Sequence, residues 1–376
     1  MNSRTLGLGN LICLLCSLPL LPCEAGSVRL LNGESHSGKL AIAGTALAVT
    51  DAGSTATFDL ANILVANFGE GAASDTATLP AGAVLNNGSF VAGAIKALDE
   101  PAMQLGPPAQ PTTVQRASVA AVVFLPTPPA AIYRIPNGKT GVVLPNGDFF
   151  EGGFAGIKEN AVLINSALFG PHRFAIKNQV SAVILQDIQP GLPRYEIVTK
   201  NGSRFFSSDV KITSDGIVLN DPILGQVKIG EGDLVEIRAA GGRYQLLTDI
   251  KPVTAVTPSG ADAAASVSVH DEGGGFRALS TGANVAVTYA IPPGFNTLTC
   301  RIAVPPESSP RARMVFSVYC DGKIVFRSSP IAPGPNPQNL RASLGAAQRM
   351  TLRAEPAIPG SEAAASKWID PMFLRQ

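Results

Sequence analysis

The chain has 376 residues, of which 29 are basic and 28 acidic, so its formal net charge is +1. This length suits about two to four domains, and the balanced charge argues against nucleic acid or an anionic membrane surface as a partner. Apolar residues make up 45% of the chain, charged residues only 15%, and Gly (38) and Pro (30) are abundant. With many Val, Ile, Thr and Phe residues, this composition predicts an all-β protein of short strands and many turns.

Residues 1–25 have the pattern of a secretory signal. Arg4 precedes an apolar run from Leu6 to Leu21, and small residues close the segment at Ala25. We expect cleavage near Ala25 and a mature protein that is secreted, periplasmic or on the cell surface. A lipid anchor on Cys23 is the alternative. No other run is long enough to span a bilayer.

The dipeptide Asn-Gly recurs four times at a nearly constant interval. Its glycines are Gly33, Gly88, Gly147 and Gly202, so the intervals are 55, 59 and 55 residues. Each dipeptide follows a short apolar strand and predicts a tight β-hairpin, and a period of this size indicates an internal repeat. We therefore expect four β units of about five strands each, called units 1 to 4, at residues 27–68, 81–126, 140–187 and 194–239.

A second glycine follows five residues after the first three of these glycines. It is Gly38, Gly93 or Gly152, whereas unit 4 has Ser207. A glycine within a strand permits a sharp bend, and each unit closes with a strand, a polar turn and a last strand. This order resembles Sm-like and SH3-like small barrels, which implies closed units without exposed edges. A four-bladed propeller is the alternative, and the RNA binding of Sm proteins is not expected because no basic surface is evident.

Catalytic and metal-binding motifs are missing from the sequence. Asp148 and Glu151 stand close together, as a glycosidase carboxylate pair would. However, the position of Asp148 holds Glu34, Ser89 or Ser203 in the other units, which favours a solvated rim. No zinc-ligand spacing, phosphate-binding loop or nucleophile elbow is found. We predict a protein that is not an enzyme and has no cofactor; a structural calcium ion has no acidic loop to support it.

The last third of the chain does not follow the sequence pattern of the four units. Residues 251–265 lack apolar periodicity and predict a linker. Residues 266–376 then contain several alternating strands, two of them joined by a hairpin at Asp321-Gly322. This pattern predicts a jelly-roll β-sandwich. Cys300 and Cys320 flank a predicted hairpin and, after export, predict a disulfide; two buried free thiols are the alternative.

Four segments carry a resemblance to a known family: VTYAIPPGFNTLTCRIAV, VFSVYCDGKIVFRSSPI, LRASLGAAQRMTLRAE and ASKWIDPMFL. Their order is similar to that of the NPCBM domain, the novel putative carbohydrate-binding module of some bacterial glycoside hydrolases. The DGK hairpin and the terminal Trp-x-Asp-Pro are its most specific parts. The resemblance implies a galactose-binding-like sandwich with affinity for sugars. The family's His and Asp residues before the terminal Trp are replaced here by SEAAASK.

Sugar-binding sites commonly place an aromatic ring against the sugar, with polar groups around it. On this basis the candidate ligand-binding residues are Trp368, Tyr289, Arg327 and Asp321. Core packing is the alternative for Trp368 and Tyr289, and a role in the turn is the alternative for Asp321. Arg327 and Arg341 are also candidates for contact with acidic sugars.

Together these features predict an exported, non-catalytic protein that binds a polysaccharide or a cell-surface glycan through its C-terminal sandwich. The four units would serve as a scaffold and could offer a surface for a protein partner. The alternatives are a structural or protein-interaction protein without sugar binding, and a hydrolase whose catalytic residues assemble only in the fold.

Overall fold

The computed structural model describes residues 26–69, 78–96, 98, 101–106, 112–273, 276–360 and 362–375. The predicted signal therefore lies outside the described residues. The fold is all-β, with 55% strand and 7% helix, as the composition predicts. None of the helices in the described ranges has the length and apolar character required to cross a bilayer.

The four predicted units contain the following elements. Unit 1 contains β1 (Gly26–Leu30), β2 (Ser35–Ala43), β3 (Ala46–Asp51), β4 (Ser54–Phe58) and β5 (Ile63–Asn67). Unit 2 contains β6 (Gly82–Leu85), β7 (Phe90–Ala92), β8 (Ala94–Lys96), β9 (Ala102–Gly106), β10 (Thr112–Gln115) and β11 (Val119–Val123). Unit 3 follows the helical turn α1 (Ala130–Tyr133) and contains β12 (Gly141–Val143), β13 (Phe149–Glu151), β14 (Gly153–Lys158), β15 (Ala161–Ser166), β16 (Gly170–Ala175), the helical turn α2 (Ile176–Gln179) and β17 (Ala182–Ile184). Unit 4 contains β18 (Tyr195–Thr199), β19 (Arg204–Ser207), β20 (Val210–Thr213), β21 (Gly216–Asp221), β22 (Gly225–Gly230) and β23 (Leu234–Ala239).

Each Asn-Gly dipeptide forms a hairpin turn with the same hydrogen bonds. In unit 3, the N–H of Gly147 donates to the carbonyl of Leu144 at 2.9 Å, and Asn146 Oδ1 accepts the N–H of Asp148 at 3.1 Å. The glycine has φ near +89°, whereas the asparagine does not enter the left-handed region. The turn is therefore a three-residue loop with a glycine bulge rather than a two-residue loop that would need positive φ at both positions.

The predicted strand bends also fall where glycine is required. Gly152 separates β13 from β14, and a Cβ at this position would lie 2.4 Å from Cγ2 of Ile164. Gly38 lies within β2 at φ +152°. These positions combine close backbone approach or positive φ with a change of strand direction, which explains why a larger side chain is excluded there.

The units are joined edge to edge in one large sheet and do not close individually. The strand order is β13-β12-β17-β11-β6-β7-β19-β18-β23-β5-β1-β2-β3-β4, so the units lie in the order 3, 2, 4, 1. The last strand of unit 1 pairs with the last strand of unit 4, and those of units 2 and 3 pair in the same way. The small closed barrels predicted from the sequence are thus corrected, because each closing strand is already paired with a neighbouring unit; the described residues form no closed barrel.

The apolar cores merge across units as well. One cluster of buried residues includes Val28 of unit 1, Leu85 of unit 2 and Ile197 of unit 4. A unit of this size buries too little apolar surface to be stable alone, and sharing one core meets that need. The division of the chain into four copies of one repeat stays a prediction.

Units 2 and 4 meet through a pair of serines that we call the serine clasp. Ser89 Oγ accepts the N–H of Phe206 at 3.0 Å and donates to Asp221 at 3.0 Å. On the other side, Ser203 Oγ accepts the N–H of Ala92 at 2.9 Å. Each serine follows the Asn-Gly of its own unit. The clasp stabilises a contact in which the strands themselves share only one paired position.

The C-terminal region is a β-sandwich of two sheets. Its strands are β24 (Tyr244–Leu246), β25 (Thr254–Val256), β26 (Val267–Gly273), β27 (Phe276–Thr281), β28 (Ala286–Ala290), β29 (Thr297–Ala303), β30 (Met314–Cys320), β31 (Lys323–Arg327), β32 (Gln338–Ser343), β33 (Arg349–Pro356) and β34 (Ser366–Leu374). One sheet has the order β26-β27-β34-β29-β32 with β24 beside β34, and the other has the order β25-β28-β33-β30-β31. The prediction of an all-β chain that ends in a β-sandwich is confirmed.

The sandwich begins earlier in the chain than predicted. Strand β25 lies within residues 251–265, which were expected to be a linker, and pairs with β28. Strand β24 pairs with β34. The lack of apolar periodicity that predicted a linker reflects short edge strands, which need fewer buried side chains than central ones.

Strand β34 carries a bulge that changes which face its side chains point to. Trp368 faces the sandwich core, and strict alternation would place residues 370, 372 and 374 on the same side. Asp370 has φ +46°, and the register with β29 shifts by one residue at this point. As a result Phe373 faces the sandwich core, while Met372 and Leu374 face outward.

The outward face of β34 packs against units 1 and 4. Met372 and Leu374 form a buried cluster with Leu64 of β5 and Ala239 of β23. The guanidinium of Arg243, just before β24, reinforces this joint by donating to the backbone carbonyls of three residues of unit 1: Leu60, Ala61 and Ile63. The scaffold and the sandwich are thus one packed structure rather than domains on a free linker.

We predict that Ser89→Asp destabilises the protein by about 3 kcal/mol, because the new carboxylate would be buried against the Asp221 carboxylate. The matched control is Glu34→Ser, which changes the same turn position in unit 1 where the side chain is exposed; it should alter stability by less than about 0.5 kcal/mol. Urea denaturation followed by circular dichroism measures both. Equal midpoints for Ser89→Asp and the unchanged protein would show that the clasp contributes nothing.

Candidate functional site

Trp368 is fully buried and is not available to a ligand. Its exposed fraction is 0%, and its ring contacts Phe316 of the opposite sheet edge-to-face at a centroid distance of 5.1 Å. The proposal of Trp368 as a ligand-binding residue is therefore wrong. The reason is its place on β34, where alternation directs it between the two sheets.

Tyr289 is also a core residue. Its exposed fraction is 1%, and burial raises the pKa of its hydroxyl to about 12. It lies on β28 within the same cluster as Phe316 and Trp368. The structure therefore rejects Tyr289 as a sugar-stacking residue.

Asp321 and Arg327 are exposed, but they lie on the β30–β31 hairpin, away from Trp368 in the core. Asp321 adopts φ +45° in the β30–β31 hairpin, and its carboxylate accepts the N–H groups of Gln348 and Arg349 at 3.1 and 3.0 Å. Arg327 forms an ion pair with Glu355 at 3.2 Å. Asp321 thus stabilises a turn, and the four predicted residues do not converge on one site.

Cys300 and Cys320 are both free and buried, so the predicted disulfide is corrected. The two strands that carry them are not partners in one hairpin. Cys300 lies on β29, which pairs with β32 and β34, whereas Cys320 lies on β30 in the other sheet. Burial raises the pKa of both thiols, which disfavours the reactive thiolate.

The outer face of the six-stranded sheet carries an open groove of about 740 Å³, which we call the polar groove. Ser268 of β26 is paired with Ser280 of β27, which is paired with Lys367 of β34. Since neighbouring residues of a strand point to opposite faces, Lys367 faces this groove while Trp368 fills the core. The residues that line the groove include Ser268, His270, Asp271, Glu272, Glu307 and Lys367.

Charged and hydrogen-bonding groups dominate the polar groove. Lys367 Nζ lies 3.0 Å from Glu272 Oε1, and His270 Nε2 lies 2.7 Å from Ser268 Oγ. Asp271 and Glu307 add two further carboxylates. The groove can therefore donate to and accept from the hydroxyls of a ligand, but among the described residues no Phe, Tyr or Trp side chain lines it; its aromatic ring is the imidazole of His270. Within the described ranges, no cluster of three His, Cys, Asp or Glu side chains is arranged to hold a metal ion.

The polar groove was not predicted from the sequence, because a sugar site was expected to contain an exposed aromatic ring. Two signals were present: the run Ser268 to Glu272 is rich in groups that form hydrogen bonds, and Lys367 directly precedes Trp368. A buried tryptophan in a strand predicts that its neighbour points to the opposite face. The pairing of β26 with β27 and β34, which brings these residues together, is not visible in the sequence.

The groove lies within a region that a known protein family describes. Residues 268–374 match the NPCBM/NEW2 domain. The predicted resemblance of the C-terminal region is thereby confirmed, and all six of the groove residues named above fall inside the match. The resemblance of the four units to Sm-like and SH3-like proteins stays a prediction, although the described residues form no closed barrel.

Solved structures similar to this chain include several carbohydrate-binding modules. A module termed CBM51 from Clostridium perfringens, in complex with methyl-galactose, is 14% identical, covers 35% of this chain and 99% of its own, and has a TM-score of 0.27. Tandem CBM51 modules of a family 98 glycoside hydrolase from Streptococcus pneumoniae are 11% identical, cover 68% of this chain and 93% of their own, and have a TM-score of 0.30. A CBM6 module from Clostridium stercorarium in complex with cellobiose is 12% identical and has a TM-score of 0.23; the match covers 35% of this chain and 93% of that module. No curated protein matches the chain.

Unit 3 carries a separate group of aromatic side chains, which we call the aromatic cluster. Phe150 of β13 lies 5.0 Å from both His172 and Phe174 and 5.7 Å from Phe169, measured between ring centroids. Phe169 is 66% exposed and the adjacent Leu168 is 86% exposed. Of the two adjacent residues Phe149 and Phe150, Phe150 is the one that joins this cluster, whereas Phe149 packs against another buried group.

We predict that Trp368→Ala lowers the free energy of unfolding by about 3–5 kcal/mol, because it leaves a large cavity between the sheets. Trp368→Phe should cost less, since the ring keeps most of its contacts and the buried Nε1, which has no acceptor among the described residues, is removed. Guanidinium denaturation measures both. A glycan-binding role would be restored to Trp368 if Trp368→Phe remained fully folded but lost glycan binding.

We also predict two slowly reacting thiols in protein that begins at Gly26, which retains only two of the five cysteines. Titration with a chromogenic disulfide should detect two thiols in guanidinium and almost none in the folded state, because both are buried. Zero thiols in guanidinium without reductant would show that the disulfide forms after all.

Proposed function

We propose that the protein binds carbohydrate through the polar groove of its C-terminal sandwich. The observation that carries this proposal is the NPCBM/NEW2 match, which spans the groove residues. The groove is open, lies on the six-stranded sheet and presents hydrogen-bond donors and acceptors from most of its lining residues, alongside Pro305 and Ala365. Such a surface suits hydrogen bonding to sugar hydroxyls more than stacking on a ring.

The charges of the polar groove favour a neutral glycan. Asp271, Glu272 and Glu307 contribute three carboxylates, and Lys367, paired with Glu272, contributes one ammonium group. A carboxylate accepts hydrogen bonds from sugar hydroxyls, and such charge-assisted bonds are stronger than neutral ones. An acidic sugar would be repelled. We therefore assign a neutral polysaccharide or cell-surface glycan to this site.

The remaining parts of the proposal concern the whole chain. We propose that the protein is exported after cleavage near Ala25, that it is non-catalytic, and that units 1 to 4 are repeats that hold the sandwich in place. The packing of β34 against units 1 and 4 supports a scaffold role, because it fixes the orientation of the sandwich.

We expect Lys367→Ala and Glu307→Ala each to weaken binding of a neutral glycan about 10-fold, which corresponds to the loss of one charge-assisted hydrogen bond. The measurement is affinity electrophoresis of the full chain through gels that contain galactan, xyloglucan or a mixed-linkage glucan, followed by calorimetry with an oligosaccharide of the best polymer.

Arg327→Ala is the matched control, since Arg327 is exposed and lies on β31 in the opposite sheet. Its binding should stay within about twofold of that of the unchanged protein, in contrast to the loss expected for a groove residue. Retardation by no polysaccharide, or equal retardation of all three variants, would contradict the assignment of the groove.

The aromatic cluster of unit 3 favours a second candidate function, which is docking of a protein partner or another surface through the units. Exposed aromatic and aliphatic side chains in one patch are typical of interaction sites. A Leu168→Ser, Phe169→Ser double variant tests this on the same gels. If it abolishes retardation while Lys367→Ala does not, the cluster and not the sandwich provides the binding surface.

A further inference from the structure

A second cavity lies where unit 1, unit 4 and the sandwich meet. Its volume is about 680 Å³, within the ~300–1,000 Å³ usual for ligand pockets. We call it the arginine cleft, because its lining includes four arginines: Arg194, Arg243, Arg341 and Arg375. Arg194 precedes β18, Arg341 lies on β32 and Arg375 follows β34, so the cleft exists only because the sandwich packs on the units.

The positive charge of the cleft is not balanced by its acidic residues. Among the described residues, Asp59 is the one acidic side chain in the lining. Arg243 is engaged with backbone carbonyls and lies 4.9 Å above the ring of Tyr195, which makes it part of the wall. Arg194 and Arg341 are exposed, and in the described part of the chain neither guanidinium has an acceptor or an ion partner.

Arg375 adds a buried donor to the same cleft. One of its Nη atoms donates to the carbonyl of Pro293 at 2.9 Å, and the guanidinium lies 4.9 Å above the ring of Phe295. Its Nε is buried and has no acceptor in the described ranges. A buried donor without an acceptor lowers the stability of the folded state. An anionic oxygen bound in the cleft would place negative charge close to this donor.

From these groups we infer that the arginine cleft binds an acidic saccharide. The guanidinium groups match a carboxylate or a sulfate with two parallel hydrogen bonds. The side chains of Leu30, Phe58 and Leu374 provide an apolar wall for a sugar ring, and the amides of Asn32 and Asn62 can bind hydroxyls. The choice of a saccharide rests on the proposed function; the anionic character rests on the arginines alone.

The cleft and the polar groove therefore differ in charge as well as in place. The groove is lined by more carboxylates than cationic groups, whereas the cleft carries four guanidinium groups and one carboxylate. A glycan that contains both neutral and acidic sugars would have a complementary site for each. Binding two positions of one chain raises the overall affinity above that of either site.

The test is calorimetry of the full chain with three probes: trigalacturonate, a sulfated galactose disaccharide and neutral galactotriose. We expect an acidic probe to bind, and its affinity to fall several-fold between 50 and 500 mM NaCl because salt screens the guanidinium charges. Arg194→Ala and Arg341→Ala should each weaken it about 10-fold. The affinity of Arg341→Lys should lie between those of the unchanged protein and of Arg341→Ala, because lysine keeps the positive charge but cannot form two parallel hydrogen bonds.

The controls separate this inference from the proposed function. Arg327→Ala and the groove variant Glu307→Ala should leave acidic-probe binding unchanged, and Arg341→Ala should leave neutral-glycan binding unchanged. Binding of only one acidic probe would identify carboxylate or sulfate as the anionic group. Three outcomes would overturn the inference while leaving the groove proposal intact: failure of both acidic probes to bind, an affinity of Arg194→Ala and Arg341→Ala equal to that of the unchanged protein, or full displacement of the probe by inorganic sulfate at equal concentration.

Discussion

The burial of strand β34 on both faces is the interaction on which the rest of the structure depends. One face supplies Trp368 and Phe373 to the sandwich, and the other supplies Met372 and Leu374 to the joint with units 1 and 4. A regular strand could not place these four side chains in this way. The bulge at Asp370 shifts the phase of alternation by one residue, so the second half of the strand presents the opposite set to each side.

The same strand determines where ligands can approach. Before the bulge, Lys367 points away from the core and completes the polar groove. After it, Leu374 and Arg375 reach the boundary with unit 1 and form one wall of the arginine cleft. The aromatic side chains that were expected to stack on a sugar ring are instead buried in the core of the sandwich. The recognition proposed for this sandwich would therefore depend on charge and hydrogen bonding, and a change in the packing of β34 would alter both surfaces together.

Local features of the fold were predictable from the sequence, and non-local ones were not. The Asn-Gly turns, the bend at Gly152 and the polar turn before each last strand follow from short-range backbone preferences. The family match follows from segments such as the DGK hairpin. The partner of each edge strand could not be predicted, because a strand pattern does not state what it pairs with. Trp368 was assigned to a ligand site because residue type indicates the chemistry of a side chain but not the face it occupies. For Met372, Phe373 and Leu374 the face was harder still to predict, because the bulge at Asp370 shifts the alternation after it.

The serine clasp distinguishes the joined edges of units 2 and 4 from the open edge of unit 3. In units 2 and 4 the residue after Asn-Gly is a serine, which joins the two edges; in units 1 and 3 it is Glu34 or Asp148, both exposed. Unit 3 ends the large sheet at β13, and two such edges brought face to face would place carboxylates against each other. Charged side chains at an open edge are a known protection against edge-to-edge association. At the β13 edge, an exposed aspartate thus stands at the turn position where units 2 and 4 have the serine that joins them, and it disfavours pairing with another copy of the chain.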